Sequence, residues 1–291
     1  PPPPPFFFHA EDGIRECLLS RGLGNVYKRQ QFTHAIVRKP ARSISKGLRA
    51  VDIGSPDYDQ MISDHKDYVE ALTLAGAEVI HLNELDKFPD GQFVEDTALC
   101  LPNAVILMRP GAPSRLDEVD KIAPKLRELF TEVYEIEEPG HIEGGDILVT
   151  GKEILVGRSA RTDEKGVSQL SDIVTALGYV MREVFTPPEI LHFKTDCSLL
   201  GPNEILSTKR LQASGYFDGY KVINVADGEE AAANVIRVNN CVIMPAGFPN
   251  TKAILEDHGY KVIAISNTEL SLIHISEPTR QEAISYAVVC L

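Results

Sequence analysis

The sequence predicts an α/β protein in which five similar strand–helix units pack around a common axis. Four segments repeat one order of elements: a first strand that opens with polar residues, a tight turn, an apolar second strand, a short loop, a helix and a closing strand. Corresponding polar residues recur at intervals of 48, 49 and 42 residues: Glu95, Glu143, His192 and Asn234. A single unit of this length cannot bury its own apolar face, so the units are expected to pack side by side.

The four segments place their strands and turns at matching positions. Their first strands begin at residues 93, 142, 191 and 233, and tight turns follow at residues 102–103, 150–151, 201–204 and 239–240. Each turn contains Gly, Pro or Asn, the residue types that tight turns favour. The apolar second strands then occupy residues 104–108, 154–156, 205–207 and 242–247.

A fifth unit at residues 33–82 precedes these segments and has no first strand of its own. In a closed ring that strand has to come from the C-terminal end, after the apolar run at residues 262–265. The repeat breaks off at residue 271, so the closing strand is expected to be missing or replaced. An unpaired strand edge in the unit at residues 33–82 would then lower stability and favour aggregation.

Helices are predicted where apolar residues recur at spacings of three and four. One such run begins at Met61 and ends before Gly76, a second runs from Val167 to Leu177 before Gly178, and a third ends before Gly259. Glycine directly after a helix supports the backbone conformation that ends it. The helix after Arg115 contains Pro124, which is expected to kink it or end its first half.

Composition and charge exclude several classes of protein. The 291 residues include 29 Lys and Arg against 42 Asp and Glu, and this net charge of −13 argues against binding of nucleic acid. No apolar run is long enough for a membrane span. The five cysteines show no CxxC spacing, so reduced thiols in the cytoplasm are expected rather than disulfides or a zinc site.

Both ends of the chain differ from the repeats. Residues 1–30 begin with five prolines and three phenylalanines and show no sustained periodicity, so they are expected to be disordered. Residues 10–30 and 271–283 also resemble translated sequencing-adapter text. We therefore expect residues 1–30 and 271–291 to be non-native, with residues 31–270 forming the functional domain. The alternative is a natural arm and a natural C-terminal extension.

The polar residues at the repeat positions suit one kind of ligand. Glu95 and Asp96 are adjacent carboxylates of the kind that hold a planar cation such as guanidinium. Arg115 and Arg161 suit a carboxylate at the other end of that ligand. His192 and Glu143 have the residue types of a general acid/base and its partner. Taken singly, Glu95 and Asp96 also fit a solvated strand edge, and a lone histidine is more often structural.

Five motifs within residues 31–270 are specific together and weak singly: FVEDTA at residues 93–98, RPGAPSR at 109–115, GHIEGGD at 140–146, SART at 159–162 and LHFKT at 191–195. In these motifs residues 31–270 resemble the dimethylarginine dimethylaminohydrolases of the guanidino-group-modifying superfamily. The resemblance implies a five-bladed α/β propeller of ββαβ units, known as the pentein fold, and no metal or other cofactor.

The resemblance also implies a role for each site residue. His192 would be the acid/base with Glu143 as its carboxylate, and Leu48 would lie in a lid loop at residues 45–49. The guanidinium would be held by Asp90, Glu95 and Asp96, and the amino-acid end by Arg115 and Arg161. Related arginine deiminases usually carry an acidic residue two places after the catalytic histidine, whereas this sequence has Lys194 there. That difference favours a methylated substrate.

The family mechanism uses a cysteine thiolate that attacks the guanidinium carbon and leaves citrulline and dimethylamine. The family's cysteine lies in an Asp-Gly-Gly-x-x-Cys type motif near the C-terminus, and residues 271–274 stand where that motif should begin. Cys290 has different neighbours and lies too far along the chain. Cys100, Cys197 and Cys241 fit small apolar core positions. We therefore expect the nucleophile to be absent.

Two interpretations remain. The natural gene encodes a dimethylarginine hydrolase of which this chain is a truncated version, or the chain is a non-catalytic binding module for guanidino amino acids. An arginine deiminase or amidinotransferase would require an acidic group at the position of Lys194. The expected partner is a small methylated arginine, and a homodimer is possible; nucleic acid and membranes are not expected partners.

Overall fold

Five three-stranded sheets make up the β structure of the part of the chain that the structure describes. The structure is a computed structural model that describes residues 32–48, 54–266 and 269 and the backbone of residues 287–290. The sheets have the strand orders β15-β1-β2, β3-β4-β5, β6-β7-β8, β9-β10-β11 and β12-β13-β14. The predicted five-unit α/β propeller is confirmed.

The strands are short. The middle strands lie within two residues of the positions that the repeat predicts, whereas four of the first strands begin three to six residues later than predicted. In chain order the strands are β1 His34–Arg38, β2 Glu78–Leu82, β3 Ala98–Cys100, β4 Ala104–Leu107, β5 Glu132–Glu135, β6 Ile147–Val149, β7 Ile154–Arg158, β8 Met181–Phe185, β9 Cys197–Gly201, β10 Glu204–Ser207, β11 Lys221–Asn224, β12 Ile236–Val238, β13 Cys241–Pro245, β14 Lys261–Ile265 and β15 Ala287–Cys290.

Each sheet repeats one pairing pattern. The first strand is antiparallel to the middle strand, and the middle strand is parallel to the third. A parallel pair needs a crossover connection, which a helix supplies in every unit. The helices are α1 Tyr58–Leu74, α2 Val119–Leu129, α3 Glu164–Ala176, α4 Lys209–Gln212 and α5 Pro249–Asp257.

The helix ends follow the local sequence signals. The side chains of Asp57 and Asp163 cap α1 and α3 by accepting hydrogen bonds from backbone N–H groups of the first turn. Beyond the other ends, Gly76 and Gly178 adopt φ values of 93° and 86°, a conformation that glycine tolerates without steric cost.

Helix α2 runs through Pro124 without ending there, so of the two effects expected of this proline the end of the first half is wrong, while the kink stays a prediction. The residues on either side of the proline, Ile122, Ala123 and Leu126, are buried. Packing of this apolar face stabilises both halves of the helix and outweighs the missing N–H donor of the proline.

Strand β15 occupies the closing position of the ring. It pairs antiparallel with β1, with Ala287 opposite Val37 and Cys290 opposite His34. The expectation of an unpaired edge in the unit at residues 33–82 is therefore wrong, because the segment at residues 271–291 itself supplies the strand. Val288 and Val289 have the β propensity that favours pairing with a buried neighbour.

A 3-10 turn precedes four of the first strands, and the polar residues of the repeat lie in or next to these turns. The turns are Val94–Thr97, Gly144–Asp146, Phe193–Thr195 and Glu230–Ala233, and each contacts the next. Glu95 and Asp96 lie in the first turn, Glu143 and His192 directly precede the second and third, and Asn234 directly follows the fourth. The sequence predicts strands at these positions, whereas the structure has turns that bring the polar side chains together.

Glycine at position 144 is required for this close approach. A Cβ atom built on Gly144 would lie 3.0 Å from the carbonyl carbon of Glu95 and closer still to its oxygen. Only glycine therefore allows the two turns to come into contact.

Candidate active site

A hydrogen-bonded pair of His192 and Glu143 lies at the centre of the ring. The Nε2 atom of His192 is 2.6 Å from Oε2 of Glu143, and both residues are buried. The other carboxylate oxygen of Glu143 accepts a hydrogen bond of 3.0 Å from the backbone N–H of Gly111. It also lies 3.4 Å from NH1 of Arg161. These contacts fix the carboxylate so that it orients the imidazole ring.

Burial alone would lower the pKa of His192, but the charge of Asp96 and the hydrogen bond to Glu143 outweigh burial and raise it to about 9. Burial likewise opposes ionisation of Glu143, yet its hydrogen bond to His192 contributes to a lowered pKa. The pair is therefore ionic near neutral pH. An imidazolium in this position is suited to give a proton to a departing amine.

Asp96 completes the group of charges around the histidine. Its Oδ1 atom accepts a hydrogen bond of 3.0 Å from the N–H of Gly145 and lies 4.0 Å from Nε2 of His192. Its Oδ2 atom accepts a hydrogen bond of 2.7 Å from NH1 of Arg115. Asp96 is buried, so its negative charge acts on His192 with little screening by solvent.

Asp146 anchors the segment that carries the histidine, a role that the sequence analysis did not assign. Its Oδ1 atom accepts a hydrogen bond of 2.8 Å from the N–H of Phe193, next to His192. The hydroxyl groups of Ser159 and Thr162 each donate to its Oδ2 atom over 2.6 Å. The signal was present in the sequence, because Asp146 ends the same GHIEGGD motif as Glu143.

Glu95 faces a cation that belongs to the protein. The Nζ atom of Lys194 lies 2.5 Å from Oε1 of Glu95, and each side chain is about one fifth exposed. The two residues come from the turns at Val94–Thr97 and Phe193–Thr195. Lys194 thus lies at the mouth of the site and takes up one oxygen of a carboxylate that was expected to bind guanidinium.

The structure also shows where the other expected ligand-binding residues lie. Buried Asp90 accepts a hydrogen bond of 3.0 Å from the backbone N–H of Leu48, so it holds the expected lid loop near its end. Residue 49 of that loop lies outside the described residues. Arg161 remains partly exposed beside Glu143, a position open to a ligand. Arg115, in contrast, is fully buried and is held by protein groups.

Asp96, Glu143 and His192 form the one set of residues with the spacing of metal ligands in the described part of the chain. One ligand atom from each lies within 4.8 Å of the others. A metal ion would have to displace the proton that His192 shares with Glu143, because only neutral imidazole binds metals. The expectation of a metal-free site stays a prediction.

The three cysteines with described side chains lie away from this centre or are turned from it. The Cys197 thiol is buried and donates to the carbonyl oxygen of Phe193 over 3.4 Å, and burial raises its pKa well above the usual value. Cys100 and Cys241 lie at the ends of their strands that are remote from the 3-10 turns, opposite Val105 and Val238. None presents a reactive thiolate to His192.

The position of Cys290 follows from strand register. Glu95, Glu143 and His192 lie three, four and five residues before their first strands begin at Ala98, Ile147 and Cys197. In the unit at residues 33–82, whose first strand is β15, the corresponding point lies before Ala287. The backbone of Cys290 is three residues beyond Ala287, about 10 Å further along the strand.

Comparison with known proteins supports one family. The family model described as arginine deiminase matches residues 86–212. The dimethylarginine dimethylaminohydrolase of Pseudomonas aeruginosa is 36% identical over 239 residues, which cover 82% of this chain and 94% of the relative. The Streptomyces coelicolor enzyme of the same name is 31% identical over 235 residues, covering 79% of this chain and 89% of that protein.

Solved structures agree. A mutant of the Pseudomonas aeruginosa enzyme complexed with citrulline matches with a TM-score of 0.81 and 36% identity, covering 84% of this chain and 95% of that chain. The N-terminal domain of ArgZ, an arginine dihydrolase from cyanobacteria, matches with a TM-score of 0.75 over 88% of this chain and 97% of that chain. At 18% identity, the second match supports the fold alone.

The five-sheet ring with a buried histidine–carboxylate pair at its axis defines a protein of the guanidino-group-modifying superfamily. The length and the sequence identity of the matches define the family within it: the chain belongs to the dimethylarginine dimethylaminohydrolase family. Within the described residues, no helix combines the length and the apolar character that a membrane crossing demands.

The ion pair of His192 and Glu143 makes stability dependent on pH. Because the pKa of His192 is about 9 in the folded protein and near 6.5 when unfolded, its contribution is full below about pH 6.5. It is lost as the pH rises through about 9. We expect Glu143→Gln to remove about half of this loss, on the order of 1–2 kcal/mol in the free energy of unfolding, because the charge of Asp96 remains beside His192.

Urea unfolding of both proteins between about pH 6 and pH 10, with the His192 ring followed by NMR, measures this effect. The matched control is Glu183→Gln, which removes a surface partner of Arg158. Equal His192 titrations in the Glu143→Gln variant and the unsubstituted protein would contradict the assignment.

Proposed function

We propose that this site binds the guanidinium group of a methylated arginine and, where a thiolate is supplied to it, supports hydrolysis to citrulline and dimethylamine. The observation that carries the proposal is the buried His192–Glu143 pair beside Asp96, an acid/base next to an anion. Glu95 lies in the same turn as Asp96 with its charge offset by Lys194, and Arg161 offers a partly exposed guanidinium for the ligand's carboxylate. Because an anionic group and a cationic group face the ligand at its two ends, the ligand is a zwitterion with its cationic end beside Asp96.

In the proposed reaction, a thiolate forms a bond to the guanidinium carbon. His192 gives its proton to the dimethylamino nitrogen as the carbon–nitrogen bond breaks, and a thiouronium remains. Neutral His192 then takes a proton from water, whose oxygen bonds to the same carbon. The carbon–sulfur bond then breaks and the hydroxyl proton passes to solvent, which releases citrulline and returns the thiolate. Glu143 stabilises the imidazolium in both half-reactions, because it holds the ring in a hydrogen bond of 2.6 Å.

We further propose that none of the cysteines in the described part of the chain supplies this thiolate. The burial and high pKa of Cys197, the remote strand ends of Cys100 and Cys241, and the register of Cys290 all support this. Without a thiolate, the same site binds its ligand and does not turn it over. The second candidate function is therefore a non-catalytic binding module for guanidino amino acids.

A deiminase acting on unmethylated arginine fits the site less well, although the matching family model carries that description. Arginine has N–H donors on both terminal nitrogens of its guanidinium and would be served by an additional acceptor. Lys194 places a cation where that acceptor would stand. A dimethylated nitrogen has no N–H group and loses nothing from the missing acceptor.

Calorimetric titration with asymmetric dimethylarginine, L-arginine and citrulline tests the ligand class. We expect dimethylarginine to bind more tightly than arginine, and Asp96→Asn to weaken its binding about tenfold or more, because charged hydrogen bonds contribute roughly 1.5–3 kcal/mol. Release of ammonia from arginine, or tighter binding of arginine than of dimethylarginine, would refute the substrate class. We also propose that the binding unit comprises residues 31–270 together with β15.

A further inference from the structure

Arg115 is the most thoroughly enclosed charged side chain of the site. It is fully buried, and three protein groups receive its hydrogen bonds. NH1 donates to Asp96 over 2.7 Å, NH2 donates to the carbonyl oxygen of Phe93 over 3.0 Å, and both Nε and NH2 donate to one oxygen of Glu118. Arg115 is therefore placed to orient Asp96.

Glu118 is the residue that fixes Arg115. Its Oε2 atom lies 3.0 Å from Nε and 2.9 Å from NH2 of Arg115, three residues earlier in the chain. Glu118 is 3% exposed, and its Oε1 atom accepts no hydrogen bond from the described part of the chain. A buried carboxylate with an unused oxygen is costly for folding alone, which suggests a functional reason for its charge.

We propose that Glu118 is a positioning residue of this site: through Arg115 it holds Asp96 toward His192, and its negative charge strengthens the binding of a cationic ligand. The inference rests on the proposed function, because it assigns Glu118 to the same guanidinium site. Arg115 alone would neutralise Asp96. With Glu118 ionised, two carboxylates share one guanidinium, and the remaining negative charge complements the charge of the ligand.

The surroundings of Glu118 support a charge that changes near neutral pH. Burial raises the pKa of Glu118 to about 7, against the opposing effect of Arg115. The other charged groups that face it are Asp90 and Asp96, which raise its pKa further, and Arg38, whose own pKa is lowered by burial. A cationic ligand bound nearby would favour the ionised form, so binding near pH 7 is expected to release a proton.

The test is calorimetric titration with asymmetric dimethylarginine at about pH 6 and about pH 8. The unsubstituted protein is expected to bind about tenfold more tightly at the higher pH, within the usual range of coupling between two sites. The Glu118→Gln variant keeps the shape of the side chain and an oxygen for Arg115. We expect it to lack this gain and to match the unsubstituted protein at about pH 6. The matched control is Glu128→Gln, which alters an exposed residue of the helix α2 that follows Glu118.

Each outcome decides the inference. An unchanged pH-dependent gain in Glu118→Gln, or equal weakening at both pH values, would overturn the positioning role and leave the proposed function standing. If the variant does not fold, titration of the unsubstituted protein near pH 7 in two buffers of different ionisation enthalpy measures proton release on binding. Absence of proton release would overturn the inference. Failure of the unsubstituted protein to bind dimethylarginine at either pH would refute the proposed function and this inference together.

Discussion

Replacing Gly144 with alanine is expected to lower the free energy of unfolding by at least about 3 kcal/mol and to abolish binding of dimethylarginine. The new methyl group would meet the backbone carbonyl of Glu95, and neither backbone segment can rotate away as a side chain would. Relief of the clash requires the turns at Val94–Thr97 and Gly144–Asp146 to separate. Separation would move Asp96 away from His192.

Urea unfolding and ligand titration measure both effects. The matched control is Gly201→Ala, where the nearest atom to the new methyl group is Oε2 of the Glu204 side chain at 3.3 Å. That side chain can move, so a small effect is expected. Stability and affinity within error of the unsubstituted protein in Gly144→Ala would contradict the close approach of the two turns.

Replacing Lys194 with methionine is expected to shift ligand preference toward arginine by about tenfold or more. In the present structure the amine of Lys194 takes up Oε1 of Glu95 over 2.5 Å. Methionine fills similar space and carries no charge, so Oε1 of Glu95 no longer faces a cation. Arginine has N–H donors on both terminal nitrogens of its guanidinium and gains more from a carboxylate that is not neutralised, whereas asymmetric dimethylarginine has one terminal nitrogen without N–H groups.

Both ligands gain from removal of a like charge, so the affinity ratio is the informative quantity. Calorimetric titration with each ligand measures this ratio. The matched control is Lys221→Met, because Lys221 of the outer strand β11 forms a similar pair with Glu204. A hydrogen bond to a charged group contributes roughly 1.5–3 kcal/mol, which sets the expected size of the shift. An unchanged ratio would show that Lys194 has no part in selectivity.

The repeat was predictable from sequence because its signals are local. Helix periodicity, the turn residues and the glycines after α1 and α3 are determined by neighbouring residues, and they appear where expected. The C-terminal origin of the closing strand was predictable, whereas the residues of β15 that pair with β1 were not, because any short apolar segment of suitable length can fill an open strand position. The helix does not end at Pro124 because tertiary burial of α2 outweighs the local preference.

The candidate site was predictable in part. The motifs identified Glu143, His192 and Asp96 as candidate site residues, and the structure places these three within one small cluster. Glu118 and the enclosure of Arg115 could not be read from sequence. A glutamate three residues after an arginine is typical of an exposed helical pair, and only the packing of this unit buries both.

The central claim is tested most directly by measuring citrulline and dimethylamine formed from asymmetric dimethylarginine. The protein and its His192→Ala variant are compared, with ligand binding followed in parallel by thermal unfolding. We expect the unsubstituted protein to be stabilised by dimethylarginine and to form no more citrulline than the variant. Citrulline formation that disappears with His192→Ala would contradict this account, since it would mean that a thiol of this chain reaches the guanidinium carbon.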